Sequence, residues 1–206
     1  MAGIPKLWRS LRYGDPVVVV SGLPRSGTSM AMKMLEAGGL PLVSDGQRQA
    51  DVDNPKGYYE DERVKDLERS VDRAWVRDAR GKGIKVISRL LRSLPPGNFY
   101  QVVLMRRELG EVLASQAKML ERRGEDGGAE DERMRKLLEK DLWQARYHLE
   151  RSSNFDWLEV EYARALAEPE EQARRIAEFL DCGLDVERMA TVVDPDLYRN
   201  RAVGGT

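Results

Sequence analysis

The chain has 206 residues, 41% of them apolar, which is enough for one domain with a sizeable core. Its 34 Lys and Arg and 35 Asp and Glu leave a formal net charge of −1, which excludes a global field that attracts nucleic acid or an anionic membrane. The single cysteine, the lack of an apolar leader region and a longest apolar run of four valines predict a cytoplasmic protein without a membrane span.

Strand-like and helix-like segments alternate along the chain. Apolar and β-branched runs predict strands at 17–21, 84–88, 100–105 and 157–162. Apolar residues at helical spacing predict helices at 28–37, 108–122 and 132–150. A charged segment predicts a helix at 61–80, and a proline at the first helical position predicts one at 169–180. Turn-rich or irregular sequence predicts loops at 40–60, 95–98, 124–131 and 194–206. The alternation predicts an α/β fold, with a mostly parallel central sheet flanked by helices, in a single domain spanning 1–206.

The segment SGLPRSGTSM, residues 21–30, follows the first predicted strand and has the spacing of a phosphate-binding loop. Gly22 and Gly27 enclose four residues, but Thr28 stands where a nucleotide-binding P-loop has lysine. Backbone N–H groups and a helix N-terminus still form an anion cradle, to which Arg25 adds a planar guanidinium. Without the lysine the loop loses its reach to a γ-phosphate. We therefore predict a loop that binds phosphate or sulfate oxygens.

A second candidate anion site follows the third predicted strand, in the segment VVLMRRELGEVLASQ. Arg107 and Ser115 are separated by two steps of four residues, so they share one face of the predicted helix; Arg106 is the alternative arginine. This segment and GLPRSGTSM together resemble the donor-binding motifs of sulfotransferases that use 3′-phosphoadenosine 5′-phosphosulfate (PAPS). The segments DVDNPKGYYE, KVISRLL and WLEVEYARAL are also similar to parts of bacterial proteins of that family.

The resemblance implies a P-loop nucleotidase-like, three-layer fold and PAPS as a donor that is bound without a metal ion. It also implies transfer of the sulfuryl group to a hydroxyl or amine of a small-molecule or carbohydrate acceptor, which releases adenosine 3′,5′-bisphosphate. The residues that it assigns to donor binding lie in the loop, in the second motif and in the basic tail: Gly22, Pro24, Arg25, Ser26, Gly27, Thr28, Ser29, Arg107, Ser115, Arg199 and Arg201.

Three residues are predicted to act on the reacting groups. Arg25 is the first candidate, and Lys85 the second, for neutralising charge on the leaving oxygen. In many cytosolic sulfotransferases a catalytic histidine follows the strand lysine by two residues, but this chain has Ile87 there. Glu60 is therefore the predicted general base, since a glutamate has this role in other sulfotransferases, and Asp53 is the alternative.

Two other functions stay open at this stage. A nucleoside or small-molecule kinase would use the same loop with ATP, but would need the lysine that Thr28 replaces. A non-catalytic nucleotide-binding module would account for the missing strand histidine. The polar segment 45–60 is predicted to line the acceptor site, and the sole histidine, His148, is expected to be a half-buried packing residue.

Overall fold

The computed structural model describes residues 6–46, 59–122, 124 and 131–194. The predicted site residues Asp53, Arg199 and Arg201 lie outside these ranges, as does most of the predicted acceptor-site segment. The other predicted site residues lie within them.

A five-stranded sheet forms the centre of the described part of the chain. Its strands are β1 (Val17–Gly22), β2 (Leu42–Val43), β3 (Gly83–Lys85), β4 (Tyr100–Arg106) and β5 (Phe155–Glu161). They pair in the order β2-β3-β1-β4-β5, and every pairing is parallel. The central strand β1 is buried along its whole length, which explains why its sequence is a continuous apolar run rather than an alternating one.

Helices cover both faces of this sheet. They are α1 (Lys6–Tyr13), α2 (Thr28–Ala37), α3 (Glu62–Lys65), two 3-10 helices (Ala74–Ala79 and Ser88–Ser93), α4 (Leu109–Arg122), α5 (Asp131–Arg151), α6 (Tyr162–Ala167), α7 (Pro169–Leu180) and α8 (Val186–Thr191). One core cluster includes residues of the two 3-10 helices and α5, and the other includes residues of α2, α7 and α8. This arrangement confirms the predicted three-layer α/β fold.

The helix predicted over 61–80 is wrong, because the structure has only the short α3 there, followed by turns and the first 3-10 helix. Ser70 Oγ donates to the carbonyl oxygen of Asp72, and the Asp72 carboxylate accepts from the Ala74 N–H. Local side-chain bonds of this kind compete with helical hydrogen bonds. The strand predicted at 84–88 is also shifted, since β3 ends at Lys85 and Ser88 begins the second 3-10 helix.

The parallel register brings the carboxyl ends of β1, β3 and β4 to one edge of the sheet. Val20 is paired with Lys85, and Gly22 with Met105. Strand β1 lies between β3 and β4, so the chain crosses to opposite sides of β1 at this edge. Open parallel sheets bind ligands at such a switch point, outside the carboxyl ends of their strands.

Candidate anion-binding site

The loop between β1 and α2 is tightly enclosed by its neighbours. Gly22 has a φ of 148°, and a Cβ atom there would lie 2.4 Å from Ser26 Oγ and 2.6 Å from the Met105 carbonyl oxygen. Gly27, the N-cap residue of α2, has a φ of 98°, and a Cβ atom there would lie 2.4 Å from Tyr162 Cδ2. Both positions therefore need glycine for space as well as for backbone conformation.

Arg25 lies inside this loop and connects it to α4. Its φ of 69° is in the left-handed region, which residues other than glycine seldom adopt. Arg25 Nε donates to Ser115 Oγ at 2.9 Å, and the Arg25 carbonyl oxygen accepts from Arg107 Nη1 at 3.2 Å. The structure thus brings the predicted pair Arg107 and Ser115 directly beside the predicted loop.

A buried carboxylate holds Arg107 in place. Arg107 Nε donates to Glu111 Oε2 at 2.9 Å, and the two side chains are only 7% and 5% exposed. The alternative arginine, Arg106, instead forms ion pairs with Glu159 and Glu161 of β5. Of the two neighbouring arginines, Arg107 is the one that contacts the loop.

Sequence reasoning did not assign Glu111 or Tyr162 to the site. Glu111 lies midway between Arg107 and Ser115 on the same helix face, so the spacing of four residues could have indicated it. The Tyr162 ring lies under the Arg107 guanidinium, 4.5 Å from ring centroid to Cζ, and also against Gly27. Burial raises the pKa of Tyr162. No pattern in the sequence indicates that α6 supplies this ring.

Buried hydroxyl groups lie in and beside the loop. Ser26 is 1% exposed, and within the described residues neither its Oγ nor that of Ser21 has a hydrogen-bond partner. Leaving a buried hydroxyl unpaired costs about 1–3 kcal/mol, which a ligand or a water molecule can offset. Thr28 is also buried, at the first position of α2. The loop therefore fits a ligand that offers acceptor oxygens, such as a phosphate or sulfate ester.

Lys85 joins the loop to Glu60. Lys85 Nζ lies 3.3 Å from Ser29 Oγ and 3.3 Å from Glu60 Oε1. The Glu60 carbonyl oxygen accepts from the Asp45 N–H at 3.2 Å and from Ser44 Oγ at 3.1 Å, which fixes the backbone at this residue. The structure therefore places both predicted residues, Lys85 and Glu60, at the α2 end of the loop.

Tyr59 anchors the backbone next to Glu60. Its φ of 51° lies in the left-handed region, and its hydroxyl donates to Glu36 Oε2 of α2 at 2.6 Å. Burial, together with the Glu36 carboxylate, raises the pKa of Tyr59. This hydrogen bond ties the backbone next to Glu60 to α2.

His148 is not brought to the loop. Its ring packs edge-on against Phe155, with 5.1 Å between ring centroids, and its Nδ1 lies 3.4 Å from Ser152 Oγ. Phe155 begins β5 and therefore lies at the opposite edge of the parallel sheet from the loop. Burial lowers the pKa of His148. These contacts are those of a packing residue.

The described residues contain neither a membrane-spanning helix nor a cluster of metal-binding side chains. No helix in that part of the chain is long and apolar enough to cross a membrane. Nor does the same part of the chain group three or more His, Cys, Asp or Glu side chains in a way that could hold a metal ion.

Two solved structures show which proteins share this fold. The sulfotransferase domain of the Synechococcus PCC 7002 olefin synthase is 16% identical, with a TM-score of 0.50, over 94% of this chain and 86% of that one. The sulfotransferase domain from the curacin biosynthetic pathway is 13% identical, with a TM-score of 0.51, over 93% of both chains. No protein-family model and no curated protein matches the sequence. The chain thus has the fold of sulfotransferase domains.

Proposed function

We propose that this protein is a sulfotransferase that moves the sulfuryl group of PAPS to a hydroxyl or amine acceptor and releases adenosine 3′,5′-bisphosphate. The observation that carries the proposal is the direct contact of Arg25 with Ser115 and Arg107, beside a loop in which Thr28 replaces the P-loop lysine. PAPS carries two anionic groups, and the loop and the start of α4 offer two adjoining sets of donors.

The 5′-phosphosulfate group would be held by the loop. Its backbone N–H groups and the N-terminus of α2 favour an anion, and the hydroxyl of Ser26, which has no partner among the described residues, is a further donor. The Arg25 guanidinium suits the oxygens of a phosphosulfate because its planar fork can donate two bonds at once. Lys85, which contacts Ser29 of the same loop, would add a second positive charge.

The 3′-phosphate would be held by Arg107 and Ser115. Ser115 Oγ accepts a hydrogen bond from Arg25, so its own proton can be donated to a phosphate oxygen. Glu111 and the Arg25 carbonyl oxygen orient Arg107 before any ligand arrives, which reduces the cost of ordering the site. The tail residues Arg199 and Arg201 stay predicted contacts outside the described residues.

The proposed reaction is an in-line displacement at sulfur. The acceptor oxygen or nitrogen forms a bond to sulfur while the bond from sulfur to the 5′-phosphate oxygen breaks, and the bisphosphate leaves with that electron pair. Arg25 and Lys85 stabilise the negative charge that develops on the leaving oxygen. The Glu60 carboxylate takes the acceptor's proton. It replaces the strand histidine of other sulfotransferases, whose position is occupied by Ile87 in this chain.

Thermal unfolding with two ligands tests the donor assignment. Adenosine 3′,5′-bisphosphate with a metal chelator should raise the melting temperature by several degrees, since ligands that bind only the folded state stabilise it. ATP with Mg²⁺ should have a smaller effect, because Thr28 cannot replace the P-loop lysine. Stabilisation by ATP with Mg²⁺ and none by the bisphosphate would favour the kinase alternative.

Turnover of PAPS with a panel of phenols, sugars and amines tests the catalytic part. Release of adenosine 3′,5′-bisphosphate with at least one acceptor is expected, and Glu60→Gln should slow it by about 100-fold or more if Glu60 takes the proton. Glu62→Gln, two residues away and exposed, is the control and should change little. Tight binding without turnover across the panel would favour the non-catalytic module instead.

A further inference from the structure

A groove lies between α5 and the second 3-10 helix, on the face of the sheet opposite α2. Leu91 of that 3-10 helix and Leu149 of α5 belong to one core cluster, whereas Met32 of α2 belongs to the other. The groove has a volume of about 370 Å³, which is within the range of pockets that take small ligands. It is therefore a feature separate from the loop after β1.

One wall of the groove is aromatic. Trp143 and Tyr147 lie one turn apart on α5, and their rings are stacked with 5.1 Å between centroids and 21° between planes. The two residues are 62% and 45% exposed. Large aromatic side chains offer a rigid apolar surface at low cost in conformational entropy, which suits the face or edge of a planar ligand.

The lining of the groove is positively charged, with three arginines and a single carboxylate. Arg92 forms an ion pair with Glu68 at 3.1 Å. Within the described residues, Arg89 and Arg151 form no ion pair, and the Arg151 guanidinium lies 4.6 Å from the centroid of the Tyr147 ring. Two guanidinium groups beside an aromatic wall favour a ligand that carries negative charge.

The floor of the groove holds one carboxylate among three arginines. Burial raises the pKa of Asp141, although a hydrogen bond from Ser88 Oγ at 2.9 Å and the nearby Arg89 and Arg92 favour its charged form. One carboxylate against three guanidinium groups leaves the lining positively charged. The His148 ring also lines the groove, but its Nε2 is buried, so the imidazole adds packing surface and no accessible polar atom.

We propose that this groove binds a small planar anion, an aromatic carboxylate, whose ring contacts Trp143 and Tyr147 and whose carboxylate pairs with Arg89 and Arg151. A carboxylate matches the fork of an arginine in shape and charge. The volume favours a small molecule over a protein segment. The site does not depend on the proposed transfer reaction, because its lining includes none of the residues assigned to that reaction.

Calorimetry of the full chain with indole-3-acetate tests the site, and indole-3-acetamide is the neutral ligand of nearly equal shape. The acetate should bind at least about tenfold more tightly, since a charge-assisted hydrogen bond to guanidinium is stronger than a neutral one. Arg151→Gln should remove most of that preference. Arg174→Gln, at an exposed arginine on α7, should leave it intact.

Each of the other outcomes would overturn the proposal. Equal affinity for the acetate and the amide, or no binding of either, would remove the anion site. Loss of acetate binding in Arg25→Gly but not in Arg151→Gln would place the ligand in the loop after β1. Binding of an acidic peptide such as hexaglutamate, with no binding of indole-3-acetate, would assign the groove to a protein partner.

Discussion

Arg25 has a strained backbone conformation and is also proposed to bind the donor. A left-handed φ of 69° is unfavourable for arginine and is adopted freely by glycine. Arg25→Gly relieves this strain but also removes the bond to Ser115 Oγ, so it should change the melting temperature little. It should lower the affinity for adenosine 3′,5′-bisphosphate by about tenfold or more through loss of charge-assisted hydrogen bonds. Calorimetry and thermal unfolding on the same samples check both parts. Unchanged affinity would remove Arg25 from the donor site.

At the same scale, the carboxyl group of Asp141 is expected to make the stability of the protein depend on pH. Burial raises the pKa of Asp141 above its usual 3.8, although the Ser88 hydrogen bond, Arg89 and Arg92 act in the opposite direction. A raised acid pKa means that the folded state loses stability as the pH rises from the usual pKa through the raised one. Asp141→Asn removes this loss and keeps an acceptor for Ser88.

The variant should therefore unfold at a higher temperature than the natural protein at neutral pH, and the difference should disappear below about pH 3.8. Thermal unfolding across this range measures it. Asp78→Asn, at an exposed position of the first 3-10 helix, removes the same charge and is the control. A constant difference at every pH would show that burial of the carboxyl is not its cause.

At the scale of elements, the loop between β1 and α2 packs so closely against α6 that one added carbon atom is expected to destabilise the protein. Gly27 and Gly39 have nearly equal φ values, 98° and 96°, but a Cβ atom would meet Tyr162 at the first and nothing within 4 Å at the second. Gly39→Ala should cost about 1–2 kcal/mol, from the left-handed backbone alone. Gly27→Ala should cost about 1–3 kcal/mol more, because it also crowds a packed ring.

Chemical denaturation of the two variants measures this difference directly. Equal losses of stability would mean that the Tyr162 ring moves away without cost. The donor affinity of the Gly27→Ala variant should also fall, since the ring lies under Arg107. Gly39→Ala, at the far end of α2, should leave donor affinity unchanged.

Elements with strong local signals were predictable from the sequence. The helices at Thr28–Ala37 and Pro169–Leu180 were predicted with the observed bounds, because a glycine pair ends the first and a proline begins the second. The two-residue strand β2 was not predicted, since its pairing with β3 depends on tertiary contacts. The short helices α6 and α8 have six residues each, too few to show a period in the sequence.

At the scale of the whole molecule, the net charge is close to zero, so an anion can be attracted only by local clusters of positive charge. The sequence predicted the loop and the spacing of Arg107 and Ser115, because each is a local pattern. It could not predict that Arg25 bonds to Ser115, 90 residues away. That contact arises only when the strands align at one edge of the sheet. The same is true of the buried pairing of Glu111 and of the position of the Tyr162 ring.

Calorimetry with adenosine 3′,5′-bisphosphate and adenosine 5′-monophosphate tests the central claim most directly. A site with an arginine fork and a hydroxyl for the 3′-phosphate should favour the bisphosphate by about 2–4 kcal/mol, or roughly 30- to 1000-fold. Ser115→Ala should reduce that preference; Arg107→Ala is a poorer variant because it removes the ion-pair partner of the buried Glu111 carboxylate and so also costs stability. Equal affinity of the unmodified protein for both nucleotides would contradict the account.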